Sequence, residues 1–180
     1  MGMPSAHGTL PWSPAAEHPE LLADATADAV ASCPSAQVAP IDDTLADTAA
    51  FCAAYDVALG SSANCVVVAG RRGDRETYAA VMVLATQRAD INGVVRRHLD
   101  VRKISFAPRE EATGRTGMEF GGITPIGLPS DWPVLIDRAV LEAGPVVVGS
   151  GLRRSKILLD AADLAALPSA AVLDLASPLA

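Results

Sequence analysis

Two apolar runs joined by a polar turn constrain the fold of this chain more than any other feature. Residues 65–69 read CVVVA, residues 77–85 read TYAAVMVLA, and the segment between them, GRRGDRE, contains two glycines. Apolar and β-branched runs on either side of such a turn predict a β-hairpin. Because the strands of a hairpin are antiparallel, the sheet that contains it is not the purely parallel sheet of a doubly wound fold.

Short strands and short helices alternate through the rest of the chain. Strands are predicted at 37–41, 101–107, 134–136, 145–149, 156–159 and 171–175. Helices are predicted over 20–32, from Asp42 or Asp43 to about Tyr55, after Asp90, at 108–112 and from 161. This alternation predicts one mixed-sheet α/β domain. We expect residues 1–36 to form an N-terminal arm and helix packed on a domain of residues 37–180.

The composition fits a single globular core. The 180 residues are 50% hydrophobic and 19% charged, so the chain can bury one sizeable core. No apolar run reaches the roughly 18 residues of a membrane span. The N-terminal segment lacks the lysine or arginine of a signal peptide. We therefore expect a cytoplasmic protein with no membrane partner.

The cysteines and histidines favour neither a disulfide framework nor a zinc site. The three cysteines, Cys33, Cys52 and Cys65, are odd in number and widely spaced, which does not fit paired disulfides. The three histidines stand in no ligand-like spacing with them. We expect no metal and no cofactor.

Charge is distributed unevenly along the chain. The net charge is −7, yet all 14 lysines and arginines lie between Arg71 and Lys156, among 10 acidic residues. Residues 1–70 carry eight acidic residues and no basic one. The basic middle segment indicates contact with nucleic acid, although arginines such as Arg96 and Arg97 can equally solvate a helix face.

Three common motifs of nucleotide or ester chemistry are absent. The segment Gly70-Arg71-Arg72-Gly73 is not the G-x-G-x-x-G fingerprint, and it leads into a strand where that fingerprint requires a helix. The sequence contains neither G-x-x-x-x-G-K-[ST] nor the G-x-S-x-G elbow of serine hydrolases. The absence of these three motifs excludes the Rossmann, P-loop and α/β-hydrolase classes.

The segment FGGITPIGLP, residues 120–129, is the most informative for function. It combines paired glycines, a hydroxyl and two spaced prolines with no charge. Glycines let a ligand approach the main chain closely, and prolines stiffen the exit from the loop. The segment predicts either a site that binds through backbone N–H groups or a tight turn that needs glycine for a positive φ.

Four segments, in order, resemble the YbaK/aminoacyl-tRNA-synthetase-associated domain family, which includes the editing domain of bacterial prolyl-tRNA synthetases and free-standing relatives. They are the strand entry NCVVV at 64–68, the G-x-x-x-P loop from Gly121 to Pro125, the strand VLID at 134–137 and the glycine turn VVGSGLR at 147–153. The resemblance runs from roughly Ala39 to Leu175. It implies a single α/β domain with a mixed, barrel-like sheet flanked by short helices.

The resemblance implies an aminoacyl-tRNA deacylase that acts in trans on tRNA mischarged with a small amino acid. A synthetase pocket gains only about 1–3 kcal/mol per methylene, so small amino acids enter it and must be removed at a second site. Family members lack a protein nucleophile and use water positioned by the substrate's terminal ribose hydroxyl. Backbone N–H groups around Gly121 and Gly122 are then expected to bind the ester carbonyl oxygen as an oxyanion hole does. The implied partner is tRNA and not DNA, while the oligomeric state, monomer or weak dimer, stays open.

One position departs from the family pattern. The family usually carries a lysine that contacts the substrate where this chain has Asn64, and Cys65 follows where a small hydroxyl residue is common. Asn64 donates and accepts hydrogen bonds but brings no charge. We expect a shifted specificity or a reduced rate, unless Asn64 is only a strand-entry residue that faces solvent. A non-catalytic member that binds tRNA or an amino acid is the alternative function.

The other candidate residues concern the substrate and the tRNA. Asp137 is expected to orient the substrate's amino group or a water, or else to pair with Arg138 or Arg153. Thr124 points either into the pocket or into its own turn, and Cys65 fits a buried small residue better than a nucleophile. The substrate-binding set is Thr124, Pro125, Asp137, Gly149, Ser150, Gly151 and Cys65. Arg153, Arg154 and Lys156 are expected either to receive tRNA phosphates or to lie on an exposed strand.

Overall fold

The computed structural model describes residues 3–179. Its strands are β1 Ser13–Pro14, β2 Gln37–Pro40, β3 Ala63–Arg72, β4 Arg75–Leu84, β5 Gln87–Ala89, β6 Lys103–Phe106, β7 Val134–Asp137, β8 Pro145–Gly149, β9 Ser155–Asp160, β10 Ala170–Leu173 and β11 Ala176–Pro178. Its α-helices are α1 Asp24–Ala29, α2 Thr48–Tyr55, α3 Arg96–His98, α4 Arg109–Thr116, α5 Arg138–Glu142 and α6 Ala161–Ala165. Within this described part, no helix has the length and apolar character needed to cross a bilayer.

The hairpin predicted from the two apolar runs forms the centre of a five-stranded sheet. Strands β3 and β4 pair antiparallel over their whole length, and Gly73 in the turn has a φ of +59°. The strand order is β10-β7-β4-β3-β6, and β7 runs parallel to both β4 and β10. The sheet is therefore mixed, which confirms the predicted α/β class.

A second sheet of four antiparallel strands, in the order β1-β2-β9-β8, packs against the first. A short ribbon pairs β11 with β5. The two large sheets meet where Ser62, just before β3, forms a parallel bridge to Val147 in β8. Among residues 3–179 the strands form these three separate sheets and not one continuous closed barrel.

Strand β4 is buried on both faces, so its alternate side chains enter two different cores. Met82 packs with Ile136 and Val148 in the core between the two sheets. Val81 packs with Leu135 on the opposite face, in the core covered by the helical segment after Asp90. This division follows from the two-residue period of a strand, and it explains why β4 is apolar and buried from Tyr78 to Leu84.

The N-terminal segment differs from the single helix predicted over residues 20–32. The helix α1 spans only Asp24–Ala29 and is flanked by 3₁₀ turns at Pro19–Leu21 and Val30–Ser32. Ala23 is extended because its N–H donates to the Ser150 carbonyl oxygen at 3.1 Å instead of joining a helix. Leu22, Val30 and Cys33 nevertheless lie in the core between the two sheets. The division at residue 36 stays a prediction.

Truncation of Leu22 should show how firmly this segment belongs to the core. Leu22 is 4% exposed and packs in the main core, so Leu22→Ala is expected to lower the free energy of unfolding by about 2–5 kcal/mol. Leu59→Ala is the matched control, because Leu59 is 46% exposed, and it should cost less than about 0.5 kcal/mol. Urea unfolding followed by circular dichroism measures both. Equal, small effects would mean that the arm contributes nothing to the core.

Candidate functional site

A cleft of about 540 Å³ opens at the seam between the two large sheets. Six parts of the chain form its walls: the N-terminus of α2, the start of β3, the segment from Phe106 to Ala112, the glycine loop at 120–123, strand β8 and strand β9. The apolar part of its lining includes Val66, Val67, Ala107, Ala112, Val147 and Val148, and the polar part includes Asp47, Thr48, Asn64 and Lys156.

The glycine loop is fixed by backbone hydrogen bonds to the turn that follows β8. The Gly151 N–H donates to the Gly122 carbonyl oxygen at 2.7 Å, and the Glu119 N–H donates to the Gly151 carbonyl oxygen at 2.8 Å. The Gly122 N–H closes the loop by donating to the Glu119 carbonyl oxygen at 2.9 Å. Gly121 has a φ of +87°, a left-handed conformation that favours glycine. The loop is thus both a tight turn and a wall of the cleft.

Two N–H groups of this loop are available to a ligand. Gly121 and Ile123 line the cleft, and within residues 3–179 neither N–H donates a hydrogen bond. Gly122 is buried, does not line the cleft and has its N–H occupied by Glu119. The sequence pointed to Gly121 and Gly122, whereas the geometry favours Gly121 and Ile123 as carbonyl-binding donors. No sequence signal indicates which N–H groups of the loop stay without an acceptor.

Gly149 permits this loop to lie directly on strand β8. A Cβ atom at Gly149 would overlap the carbonyl oxygens of Gly122 and Ile123. Any side chain here would therefore push the loop outward. Gly149 itself lines the cleft, as expected from the sequence.

Asn64 lies in the cleft wall, half-buried, opposite the N-terminus of α2. Its Oδ1 accepts a hydrogen bond from the Thr48 hydroxyl at 2.7 Å. Its Nδ2 donates to no acceptor among residues 3–179, so that amide group remains available. Asp47, the N-cap of α2, accepts from the N–H groups of Ala49 and Ala50 through Oδ1.

Cys65 follows in the same wall as a free thiol. Burial raises the pKa of the Cys65 thiol to about 12, so it stays protonated at neutral pH. A protonated thiol is a poor nucleophile.

Potential metal ligands do not cluster in the described structure. The His, Cys, Asp and Glu side chains of residues 3–179 form no group of three or more that could hold a metal ion.

Lys156 is buried in strand β9 and lines the cleft, so it does not belong to a basic surface cluster. Its side chain is 8% exposed, and its Nζ donates to the Ala46 carbonyl oxygen at 3.1 Å. The same Nζ lies 5.3 Å from the ring centroid of Phe51. Burial lowers the pKa of the Lys156 ammonium from its usual range, because low-polarity surroundings disfavour the charged form.

The two arginines predicted beside Lys156 have different environments. Arg153 donates from Nη1 to the Phe120 carbonyl oxygen at 3.1 Å and from Nη2 to the Asp43 carbonyl oxygen at 3.0 Å. Its guanidinium therefore braces the glycine loop. Arg154 is exposed and donates to the Glu20 carbonyl oxygen at 2.8 Å. The three basic residues do not form one surface, and contacts with tRNA phosphates stay a prediction for the two arginines.

Two phenylalanines project at the mouth of the cleft. Phe106 is 66% exposed and Phe120 is 48% exposed, and both belong to the lining. The Arg109 guanidinium carbon lies 4.6 Å from the centroid of the Phe120 ring. In a chain with 4% aromatic residues, two exposed rings at one rim are an unusual concentration.

The other predicted site residues lie outside the lining of the cleft. Thr124 and Pro125 are buried behind the glycine loop, and the Thr124 hydroxyl has no hydrogen-bond partner in the described residues. Ser150 is fully buried, and its hydroxyl pairs with that of Ser155 at 2.7 Å. Gly151 packs against Ala23. These residues support the loop and the turn behind it.

Asp137 also departs from the expected place beside the pocket. It is 4% exposed, and its carboxylate accepts from the N–H groups of Ala139, Leu175 and Ala176 at 2.9–3.1 Å. It pairs with neither arginine considered from the sequence, because Arg138 instead binds Asp174 at 2.8 Å. The carboxylate therefore joins α5 to the segment after β10, outside the cleft.

Removal of the Asp137 carboxylate should affect stability and leave the cleft intact. Asp137→Ala leaves three N–H groups without this acceptor, one buried and two partly buried, so we expect a loss of about 1–3 kcal/mol in the free energy of unfolding. Asp174→Ala is the control, since the Asp174 side chain is 79% exposed, and it should change stability by less than about 1 kcal/mol. Chemical denaturation compares the two variants. An unchanged midpoint for Asp137→Ala would contradict the structural role.

Comparison with known proteins points to one family. The sequence model of the aminoacyl-tRNA editing domain matches residues 42–167. A solved structure described as a candidate trans-editing enzyme for prolyl-tRNA synthetase has a TM-score of 0.73 and 22% identity, covering 86% of this chain and 96% of that one. A scaffold protein from computational epitope grafting has a TM-score of 0.72 and 20% identity, covering 86% and 97%. A candidate signal-transduction protein from Marinobacter aquaeolei has a TM-score of 0.54 and 18% identity, covering 91% of this chain and 31% of that one. At these identities the structural matches establish the fold.

Proposed function

Because the chain belongs to the aminoacyl-tRNA editing domain family, we propose that it is a deacylase that hydrolyses the ester of tRNA mischarged with a small amino acid. Family membership supports an editing role with tRNA as the substrate. The finer assignment is supported by one observation: Gly121 and Ile123 line the cleft in a hydrogen-bonded loop, and their N–H groups donate to no acceptor within residues 3–179. Such donors suit the carbonyl oxygen of an ester.

The proposed reaction needs no nucleophile from the protein. Water attacks the ester carbonyl carbon, and the carbonyl oxygen gains negative charge in the tetrahedral intermediate. The N–H groups of Gly121 and Ile123 stabilise that charge, and donors fixed in advance are the most effective kind. The bond to the ribose oxygen then breaks, and this oxygen takes up a proton, which releases the amino acid and tRNA. The substrate's own neighbouring ribose hydroxyl positions the water, and the protonated Cys65 thiol takes no part.

The rim of the cleft suits the end of a single-stranded nucleic acid. The ester of an aminoacyl-tRNA is attached to the terminal nucleotide, so a base must lie next to the reacting carbonyl. Exposed aromatic rings bind unpaired bases by stacking. Phe106 and Phe120 are the rings available at this mouth, and Arg109 adds a positive charge beside Phe120. We assign them to the terminal base.

A non-catalytic binding protein is the second candidate. Two observations favour it: the position of the family lysine is occupied by the neutral Asn64, and the net charge of the chain is −7. Such a protein would bind tRNA with a strong dependence on salt but would release no amino acid.

Deacylation assays with mischarged tRNA decide between these functions. We expect the purified protein to release at least one amino acid from a panel of tRNAs carrying Ala, Ser, Cys, Pro or Thr. Gly121→Ala should lower the rate about ten- to hundredfold, because a Cβ at positive φ strains the loop and misplaces its N–H groups. Gly73→Ala is the matched control, since Gly73 has a similar positive φ in open space outside the cleft. Binding of tRNA without turnover of any panel member would establish the non-catalytic alternative.

Substitution of the rim phenylalanines should weaken substrate binding and spare the chemical step. Phe106→Ala and Phe120→Ala are each expected to raise KM for mischarged tRNA about tenfold, because stacking on one ring contributes about 1–3 kcal/mol. Replacement by Tyr should retain most of the affinity. Leu179→Ala removes an exposed apolar side chain outside the cleft and is the control. A fall in kcat with unchanged KM would argue against a stacking role.

A further inference from the structure

Lys156 carries a positive charge that the surrounding protein hardly neutralises. It is one of two lysines among the 14 basic residues of the chain, and it is 8% exposed. An ammonium group has three N–H donors, and within residues 3–179 only the Ala46 carbonyl oxygen accepts from Nζ. A buried ammonium group with two unused donors is costly, so its place in a cleft points to a ligand.

The charged groups around Lys156 do not supply the missing partner. No carboxylate of residues 3–179 forms a salt bridge with it. Asp47 is the acidic residue of the cleft lining, and it caps helix α2 through Oδ1. Arg153 disfavours the charged form of Lys156 and Asp47 favours it, but the Arg153 guanidinium is held by backbone carbonyl oxygens. With Arg109 and Lys156 against Asp47 in the lining, the cleft has an excess of positive charge.

The strand register directs this charge toward the glycine loop. Lys156 is the direct partner of Gly149 in the antiparallel β8–β9 pair, and directly paired residues project to the same face of a sheet. On that face the missing Cβ of Gly149 points at the carbonyl groups of Gly122 and Ile123. The Lys156 side chain thus extends on the side of the sheet that holds the loop. On the other side of β8, the bridge from Ser62 to Val147 brings Asn64 level with Gly149.

The geometry points to Lys156 as the residue that binds an anionic oxygen of the substrate in this cleft. This inference rests on the proposed function, because it takes the terminal nucleotide of an aminoacyl-tRNA as the ligand. Two oxygens of that ligand carry negative charge: a phosphate oxygen on the 5′ side of the terminal ribose, and the carbonyl oxygen once water has added. The amide of Asn64 supplies a neutral donor on the neighbouring strand.

Binding and single-turnover measurements on Lys156→Met distinguish the two oxygens. The binding probe is an adenosine that carries alanine through a non-hydrolysable amide, with and without a 5′-phosphate. If Lys156 binds the phosphate, the variant should lose about ten- to hundredfold in affinity for the phosphorylated probe only. If it binds the oxygen of the tetrahedral intermediate, both affinities should be unchanged and the deacylation rate on mischarged tRNA should fall by the same factor. No change in either affinity or rate would overturn the inference.

Two further variants separate charge from folding. Lys156→Arg keeps the charge and should retain part of the wild-type affinity or rate. The double variant Asn64→Lys/Lys156→Met supplies a lysine from the adjacent strand and should restore binding or rate. Lys103→Met removes the other lysine, which is exposed on β6 outside the cleft, and should behave as wild type with the small probe. Thermal unfolding shows that each variant is folded.

The anion site at Lys156 and the deacylase activity can fail independently. If wild-type protein binds the probe in a Lys156-dependent manner but hydrolyses no mischarged tRNA, the deacylase proposal fails and the anion site stands. If wild type hydrolyses mischarged tRNA and Lys156→Met matches it in both probe affinity and deacylation rate, the anion site fails and the enzyme stands.

Discussion

Contact between two backbones, that of the glycine loop and that of strand β8, is the constraint on which the site depends. The loop approaches β8 at Gly149, where a single Cβ would collide with two carbonyl oxygens. The turn after β8 then holds the loop, because the Gly151 N–H donates to the Gly122 carbonyl oxygen and the Gly151 carbonyl oxygen accepts from the Glu119 N–H. Behind this turn, Ala23 of the N-terminal segment donates to the Ser150 carbonyl oxygen. Core packing of the N-terminal segment is thereby linked to the positions of the N–H groups at the cleft wall.

Such a site gains rigidity because it is built from main-chain atoms. A backbone N–H cannot change rotamer, so its direction is set once the loop is packed. The side chains around the loop reinforce this arrangement: Arg153 holds the Phe120 carbonyl oxygen from one side, and Glu119 accepts from the Arg153 N–H at 2.6 Å. Arg153, which the sequence suggests as a phosphate contact, thus holds the loop. In the cleft, Lys156 has no carboxylate of residues 3–179 at ion-pair distance.

The sequence predicted the fold and the loop well, because both depend on local patterns. The hairpin followed from two apolar runs and a glycine turn, and the loop followed from glycine and proline spacing. The errors arose where tertiary contacts override local preference. The helix expected at 20–32 is interrupted because Ala23 bonds to a turn more than a hundred residues away. Lys156 looked exposed beside Arg153 and Arg154, but strand alternation and the register with Gly149 direct it inward. The sequence suggests that Asp137 contacts the substrate or pairs with an arginine, but its carboxylate caps a helix.

Three features that disfavour the folded state lie at the cleft or behind it. The hydroxyls of Thr26 and Thr124 are buried without hydrogen-bond partners among residues 3–179, and Lys156 is a buried charge. Each of these features disfavours the folded state, and each adjoins the cleft or the loop and turn that shape it. The protein tolerates these unfavourable features because the well-packed residues around them fix their positions. A ligand that supplies an anionic oxygen to Lys156 and a carbonyl oxygen to the loop would offset part of that cost. Bound substrate would then stabilise the folded protein at the cleft, where the Lys156 ammonium group and the loop N–H groups lack acceptors.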